Sequence, residues 1–195
     1  MPAKTTNSLS SIGFMTVCEI EDQGLFGGLL VLNLAGRPLE FHCTAPVRPN
    51  RAQEILYGPT LRPYLYGEQI GRALMERVGA TPDLVFTDVQ PALSLRQLTS
   101  VPVVFVPPTS PSEISDRDSD RWSRVDGEHQ GPASPGLLRL HDFAIGGVLL
   151  AVPDTHREDE SRVVSQWQSH AEDFDLAEPF GRIREAIEEA RRTAR

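Results

Sequence analysis

The stretch GFMTVCEIEDQGLFGGLLVLNLAGRPLEFHCT, residues 13–44, sets the architecture. Successive side chains of a strand point to opposite faces. In GFMTVCEI (13–20), Phe14, Thr16, Cys18 and Ile20 therefore share one side, and Met15, Val17 and Glu19 the other. LFGGLLVLN (25–33) is apolar on both faces, which suits a central strand, and Gly27 and Gly28 permit a bulge or a close approach. PLEFHCT (38–44) places Leu39, Phe41 and Cys43 on one apolar side, so Cys43 reads as a small core residue. EDQG and LAGR are short turns, and three strands joined this way form an antiparallel meander.

Downstream the periodicity changes. Asn50 followed by Gln53 is a capping-box pattern for a short helix, RAQEILY, which Gly58 and Pro59 end. Thr60 is placed to cap a second helix through Val78. In it Leu61 and Leu65 lie nearly opposite Ile70, Leu74 and Val78 at about 100° per residue, which predicts a bend near Gly67. Close helix packing accounts for Gly67 and Gly71. PDLVFTD (82–88) and VPVVFV (101–106) read as buried strands around a brief helix, PALSLRQL, a small βαβ element with a parallel pair.

Residues 107–136 are rich in Pro, Ser, Asp and Gly, lack periodicity and read as an acidic loop or linker. LLRLHDFAIGGVLLAV (137–152) resumes strand structure. Thr155 with Glu158 predicts a capped helix whose apolar stripe is Val163, Val164, Trp167, Ala171 and Phe174. A last helix begins near Asp175 or Glu178, with Pro179 in its first turn and Phe180, Ile183, Ile187 and Ala190 on one face. The expected fold is mixed α/β: a flexible tail (1–12), a core (13–106), the acidic loop (107–136), and strands plus two amphipathic helices on the same core (137–195).

The chain of 195 residues is long enough for one sizeable core. Its net charge of -8 argues against non-specific nucleic-acid binding, which needs Lys and Arg to neutralise phosphates. Most of that charge lies in residues 108–195, at -7, while the first part holds an Arg-bearing segment from Arg48 to Arg77. Two cysteines, Cys18 and Cys43, make no disulfide framework. The polar start lacks the apolar region of a signal peptide, and no apolar run approaches the roughly 20 residues that span a bilayer. A cytoplasmic location, with no membrane partner, is expected.

Phosphate-loop, dinucleotide and serine-hydrolase motifs are absent, and the five histidines have no zinc spacing. His42 and Cys43 are strand neighbours that point apart, so they form no thiol–imidazole pair. Glu40 and His42 share the other face, and with Arg48 and Arg51 they are surface candidates for a contact. Asp88 ends a parallel strand, where open sheets bind ligands, and Thr87, Asp88, Gln90, Thr109 and Ser110 are pocket candidates there. The plainer role of Asp88 is to cap the helix around Pro91.

The order strand-strand-strand-helix-strand-helix-strand over 13–106 is similar to a ribonuclease H-like arrangement, in element order and not in motifs. That resemblance implies carboxylates converging from the first strand, the following helix and the fourth strand. The positions are Glu19 or Glu21, Glu54 or Glu68, and Asp88, with Glu19, Glu68 and Asp88 the preferred set. Such oxygens would hold Mg²⁺ or Mn²⁺ for phosphodiester hydrolysis, the one reading in which nucleic acid is a partner. The leading expectation is instead a binding or interaction protein with no cofactor, which engages a protein partner through the terminal helix, the acidic loop or the Arg-bearing segment. For the terminal helix, core packing is the plainer role. A small-ligand domain with a pocket near Asp88 comes third.

Overall fold

β1 (Ser11–Ile20), β2 (Gly24–Asn33) and β3 (Pro38–Cys43) form the expected antiparallel meander in the computed structural model, which describes residues 9–108, 138–171 and 174–193. β1 starts earlier than the pattern suggested. The Ser10 and Ser11 amides and the Ser10 hydroxyl donate to Asp83 Oδ2 at 2.7, 3.2 and 2.8 Å, and Leu9 is buried. Residues 9–12 of the expected flexible tail are therefore ordered, and residues 1–8 lie outside the described residues.

β4 (Leu84–Thr87) runs parallel to β1, and β5 (Val103–Phe105) parallel to β4, with a 3-10 helix, Gln90–Gln97, between them. β6 (Leu140–Ile145) and β7 (Val148–Pro153) form a hairpin that adds to β5 through β7. The result is a seven-stranded sheet in the order β3-β2-β1-β4-β5-β7-β6. Residues 109–136 of the expected acidic loop lie outside the described residues.

Helices cover both faces, which is why β1, β2 and β4 read as nearly continuous apolar runs. On one face, Ile12 and Phe14 meet Trp167 of α4 (Asp159–Trp167) and Phe180, Ile183 and Ile187 of α5 (Glu178–Thr193). α1 (Arg51–Tyr57), α2 (Leu61–Pro63) and α3 (Arg72–Met75) belong to the connection between β3 and β4. Between α2 and α3 runs a π-helical stretch, Tyr64–Gly71, and on this second face Ile70, Leu74 and Leu95 pack on Met15 and Val17. Gly27 and Gly28 let both layers down onto β2. A Cβ on Gly27 would lie 2.1 Å from Ile70 Cγ2, and one on Gly28 would lie 2.3 Å from Ile183 Cγ2.

The phase break that predicted a bend at Gly67 is resolved by the π-helical stretch. Leu65 and Ile70, five apart, are both buried because hydrogen bonds there run i to i+5. Gly67 seats this rod on the 3-10 helix, since a Cβ there would meet Ser94 Oγ at 1.9 Å and Leu95 N at 2.5 Å. Two expected caps do not form. The Thr60 hydroxyl donates to Tyr57 O at 2.8 Å and caps nothing. Residues Asp154–His156 make a 3-10 turn, α4 starts only at Asp159, and no side chain caps it. Asp159 is drawn instead to Arg96, which it meets through two hydrogen bonds of 2.6 and 3.1 Å.

The apolar side of β3 is core only at its end, where the half-buried Cys43 packs against the cluster under α5. β3 is an edge strand, α5 packs over β1 and β2, and Leu39 and Phe41 are exposed while Cys43 is half-buried. Among the described residues no helix is long and apolar enough to cross a membrane.

Candidate functional site

The last parallel pair of β1 and β4 is Met15 with Thr87, so the next residues, Thr16 and Asp88, are neighbours. Asp88 does not cap the 3-10 helix, whose N-cap residue is Val89 with no side-chain hydrogen bond. Its carboxylate accepts a hydrogen bond from Arg184 of α5 instead. Thr16 Oγ1 and Asp88 Oδ1 are buried with no partner among the described residues. Burial pushes the nearby Cys18 thiol up, against the pull of Arg184, and Asp88 and Glu188 push it further. Cys18 is thus protonated at neutral pH and a poor nucleophile.

Glu19, Glu68 and Asp88 are not brought together. The two-residue period of a strand puts Thr16 and Cys18 on the α5 side with Asp88, and turns Glu19 to the other face, where Arg62 lies 3.7 Å away. Glu54 pairs with Arg51 at 3.0 Å, and Glu68 lines a separate cavity on the π-helical stretch. Among the described residues no three His, Cys, Asp or Glu side chains form a group that could hold a metal ion.

The pocket candidates also separate. Thr87 is buried on the face opposite Asp88, where its hydroxyl accepts the Val89 amide at 3.3 Å, and Gln90 Nε2 donates to Leu138 O at 3.4 Å. Thr109 and Ser110 lie outside the described residues. The surface candidates have structural partners. Glu40 accepts from His42 Nε2 at 2.9 Å and from the Gly79 and Ala80 amides at 2.9 and 3.2 Å, tying the edge strand to the turn after α3. The His42 and Gly79 hydrogen bonds hold the Glu40 carboxyl below its ordinary value. Arg48 donates to the Gln23 and Asp22 carbonyls and fixes the first turn.

A different corner stands out. The capping box of α1 is fully formed, with Gln53 N to Asn50 Oδ1 at 2.9 Å and Asn50 N to Gln53 Oε1 at 3.0 Å. Yet α1 has no buried residue, and Ile55 and Leu56 are 67% and 81% exposed. Its last residue, Tyr57, stacks on Tyr64 of the π-helical stretch with ring centroids 4.2 Å apart. Beneath the two rings is a cavity of about 240 Å³, which Glu68, Ser94, Gln97 and Leu138 also line. Hydrogen bonding to Tyr64, then burial and the Glu68 charge, hold the Tyr57 phenol above its ordinary value. The sequence carried one signal for this corner: Ile55 and Leu56 sit side by side in a helix too short to bury both. The stacking of Tyr57 on Tyr64 turns on the break in the helical path at Gly58, whose φ is +50°, and on the π-helical register that follows. No known family model matches the chain, and no curated protein matches it.

Proposed function

We propose that this chain is a binding protein that docks a protein partner on the corner formed by α1 and the start of the π-helical stretch. One observation carries this: a fully capped helix presents Ile55 and Leu56 to solvent and buries nothing of its own. Seven residues are too few for an isolated helix to be stable in water, so α1 is held by its cap and by the chain that follows. Covering the two side chains with a partner would contribute about 1.5–3 kcal/mol each. Arg51 and Glu54 supply the polar rim that such contacts have.

The test compares wild type with the double substitution Ile55→Asp, Leu56→Asp, using photocrosslinking from position 52 in the native host. Loss of a reproducible crosslinked protein in the double variant, at an unchanged melting temperature, is the expected result. Identical crosslinks in both would sink the reading. The metal-dependent phosphodiesterase reading retains the element order in its favour. It requires that Mg²⁺ or Mn²⁺ raise the melting temperature of wild type but not of Asp88→Ala, because a ligand of the folded state stabilises it by mass action.

A further inference from the structure

We infer that the cavity beneath Tyr57 and Tyr64 is a binding site for an organic cation, an ammonium or guanidinium group on a short alkyl stem. The inference deepens the binding reading above, because Tyr57 ends the helix proposed to meet the partner.

Three features of the cavity select this chemistry. Glu68 is the one charged side chain among the described residues that line it, and a carboxylate there favours a cation over an anion. Tyr57 and Tyr64 line it as a stacked pair, and the ring faces not spent on the stack attract ammonium and guanidinium groups. Pro63 and Leu138 offer an apolar surface for an alkyl stem, and the Gln97 amide can accept from the head group. A single carboxylate with aromatic and aliphatic neighbours is a poor nest for a hard metal ion, which needs several oxygen ligands.

The size agrees. About 240 Å³ is the space of roughly eight waters, enough for a butyl stem with a guanidinium head. The site is also built by the fold. Tyr64 and Glu68 are four apart on the π-helical stretch, and short π-helical segments recur where proteins bind ligands. Gly67 between them is pinned against Ser94 and Leu95, which holds the π-helical stretch close to the 3-10 helix that supplies Ser94 and Gln97.

The test is a titration of the full, isotope-labelled chain with butylguanidinium, with butylammonium and with the neutral isostere N-butylurea, followed by amide chemical shifts. Saturable shifts at Tyr64, Glu68 and Gln97 with either cation but not with N-butylurea are expected. Glu68→Gln should weaken that binding at least tenfold while melting at the wild-type temperature. No saturable shift up to about 50 mM, far above a Kd of about 1 mM, would overturn the inference. So would equal binding of N-butylurea, or Glu68→Gln binding as wild type does.

N-acetyl-arginine amide and N-acetyl-lysine amide separate the two sources of the cation. If they bind more tightly than the free alkyl cations, the site takes a partner's side chain. If they bind more weakly, it takes a free small molecule. Either result upholds the cation site. The Ile55→Asp, Leu56→Asp protein serves as the control. If it keeps cation binding and loses the crosslink, the cavity and the docking surface are separate functions. If wild type gives a crosslink but no cation binding, only the cation inference fails.

Discussion

α1 and α5 are both amphipathic, yet they meet opposite fates. α5 has sixteen residues and buries Pro179, Phe180, Ile183 and Ile187 against the sheet. α1 has seven residues, a complete capping box, and no buried side chain. A cap satisfies the first amides of a helix, but packing supplies most of the stability of helices in proteins. The difference shows that local signals can be complete in a segment whose apolar face the fold leaves uncovered. The terminal helix, a candidate docking element on its pattern, is part of the core, and the uncovered face lies on the short helix after β3.

That contrast can be broken by substitution. The packed side should carry the largest effect at Asp159, whose ion pair with Arg96 is 4% and 14% exposed and joins α4 to the 3-10 helix of the opposite layer. Asp159→Ala leaves a buried guanidinium unpaired and should cost about 3–5 kcal/mol in urea unfolding. Arg51→Ala breaks an exposed pair on α1 and should cost less than about 0.5 kcal/mol. If the two costs were alike, the packed and uncovered sides would not differ as described.

Next in size is the pair Ile183→Ala and Leu56→Ala. The first leaves a cavity above Gly28 and should cost about 2–5 kcal/mol. The second removes the same kind of group from open solvent and should stay within about 0.5 kcal/mol.

Asn50→Ala removes the α1 cap, worth about 1 kcal/mol. Because α1 anchors no core, the loss should appear as amide exchange about fivefold faster at residues 53–57, with the global melt unchanged. A lowered global melting temperature would show that α1 is coupled to the core after all.

The smallest expected effect is a dependence on acid. Burial alone would raise the Asp83 carboxyl, but the Ser10 amide and hydroxyl, the Ser11 amide and Arg162 together hold it below its ordinary value. A lowered folded-state pKa contributes stability above the unfolded value near 3.9, and that stability is lost as pH falls through the folded value. Melting temperatures of wild type and Asp83→Asn should therefore converge as pH drops below about 4. A constant gap down the acid range would mean that Asp83 acts only as a neutral hydrogen-bond acceptor for β1.

Much of the fold was legible because its signals are local. Alternation marked β1, a run apolar on both faces marked β2, the Asn50–Gln53 spacing marked α1, and apolar stripes marked α5 and α4, although α4 ends at Trp167, short of Ala171 and Phe174. The readings that changed depended on distant neighbours. Asp88 has the composition of a cap, but Arg184, 96 residues later in the chain, claims its carboxylate. Thr155 with Glu158 has the form of a capping box, but α4 starts at Asp159, whose carboxylate is paired with the distant Arg96. Leu39 and Phe41 alternate like core residues, yet an edge position under no helix leaves them in solvent. The candidate carboxylates failed to meet for a reason the alternation rule itself contains. Glu19 is an odd number of residues from Thr16, so it cannot share the face of Asp88 once β1 and β4 are paired in register.

By itself, then, the sequence determined the element types, the antiparallel meander, the parallel pair and the glycines of β2, since each follows from steric and hydrophobic periodicity within a few residues. Only the tertiary structure decided which apolar faces are covered, how the Leu65–Ile70 phase break is absorbed, and where Tyr57, Tyr64 and Glu68 meet. Which faces are covered depends on how residues far apart in sequence compete for the same partners and the same buried space, and such competition leaves no periodic mark in the chain. Tyr57, Tyr64 and Glu68 lie close in sequence, but their meeting turns on the break at Gly58 and on the π-helical register.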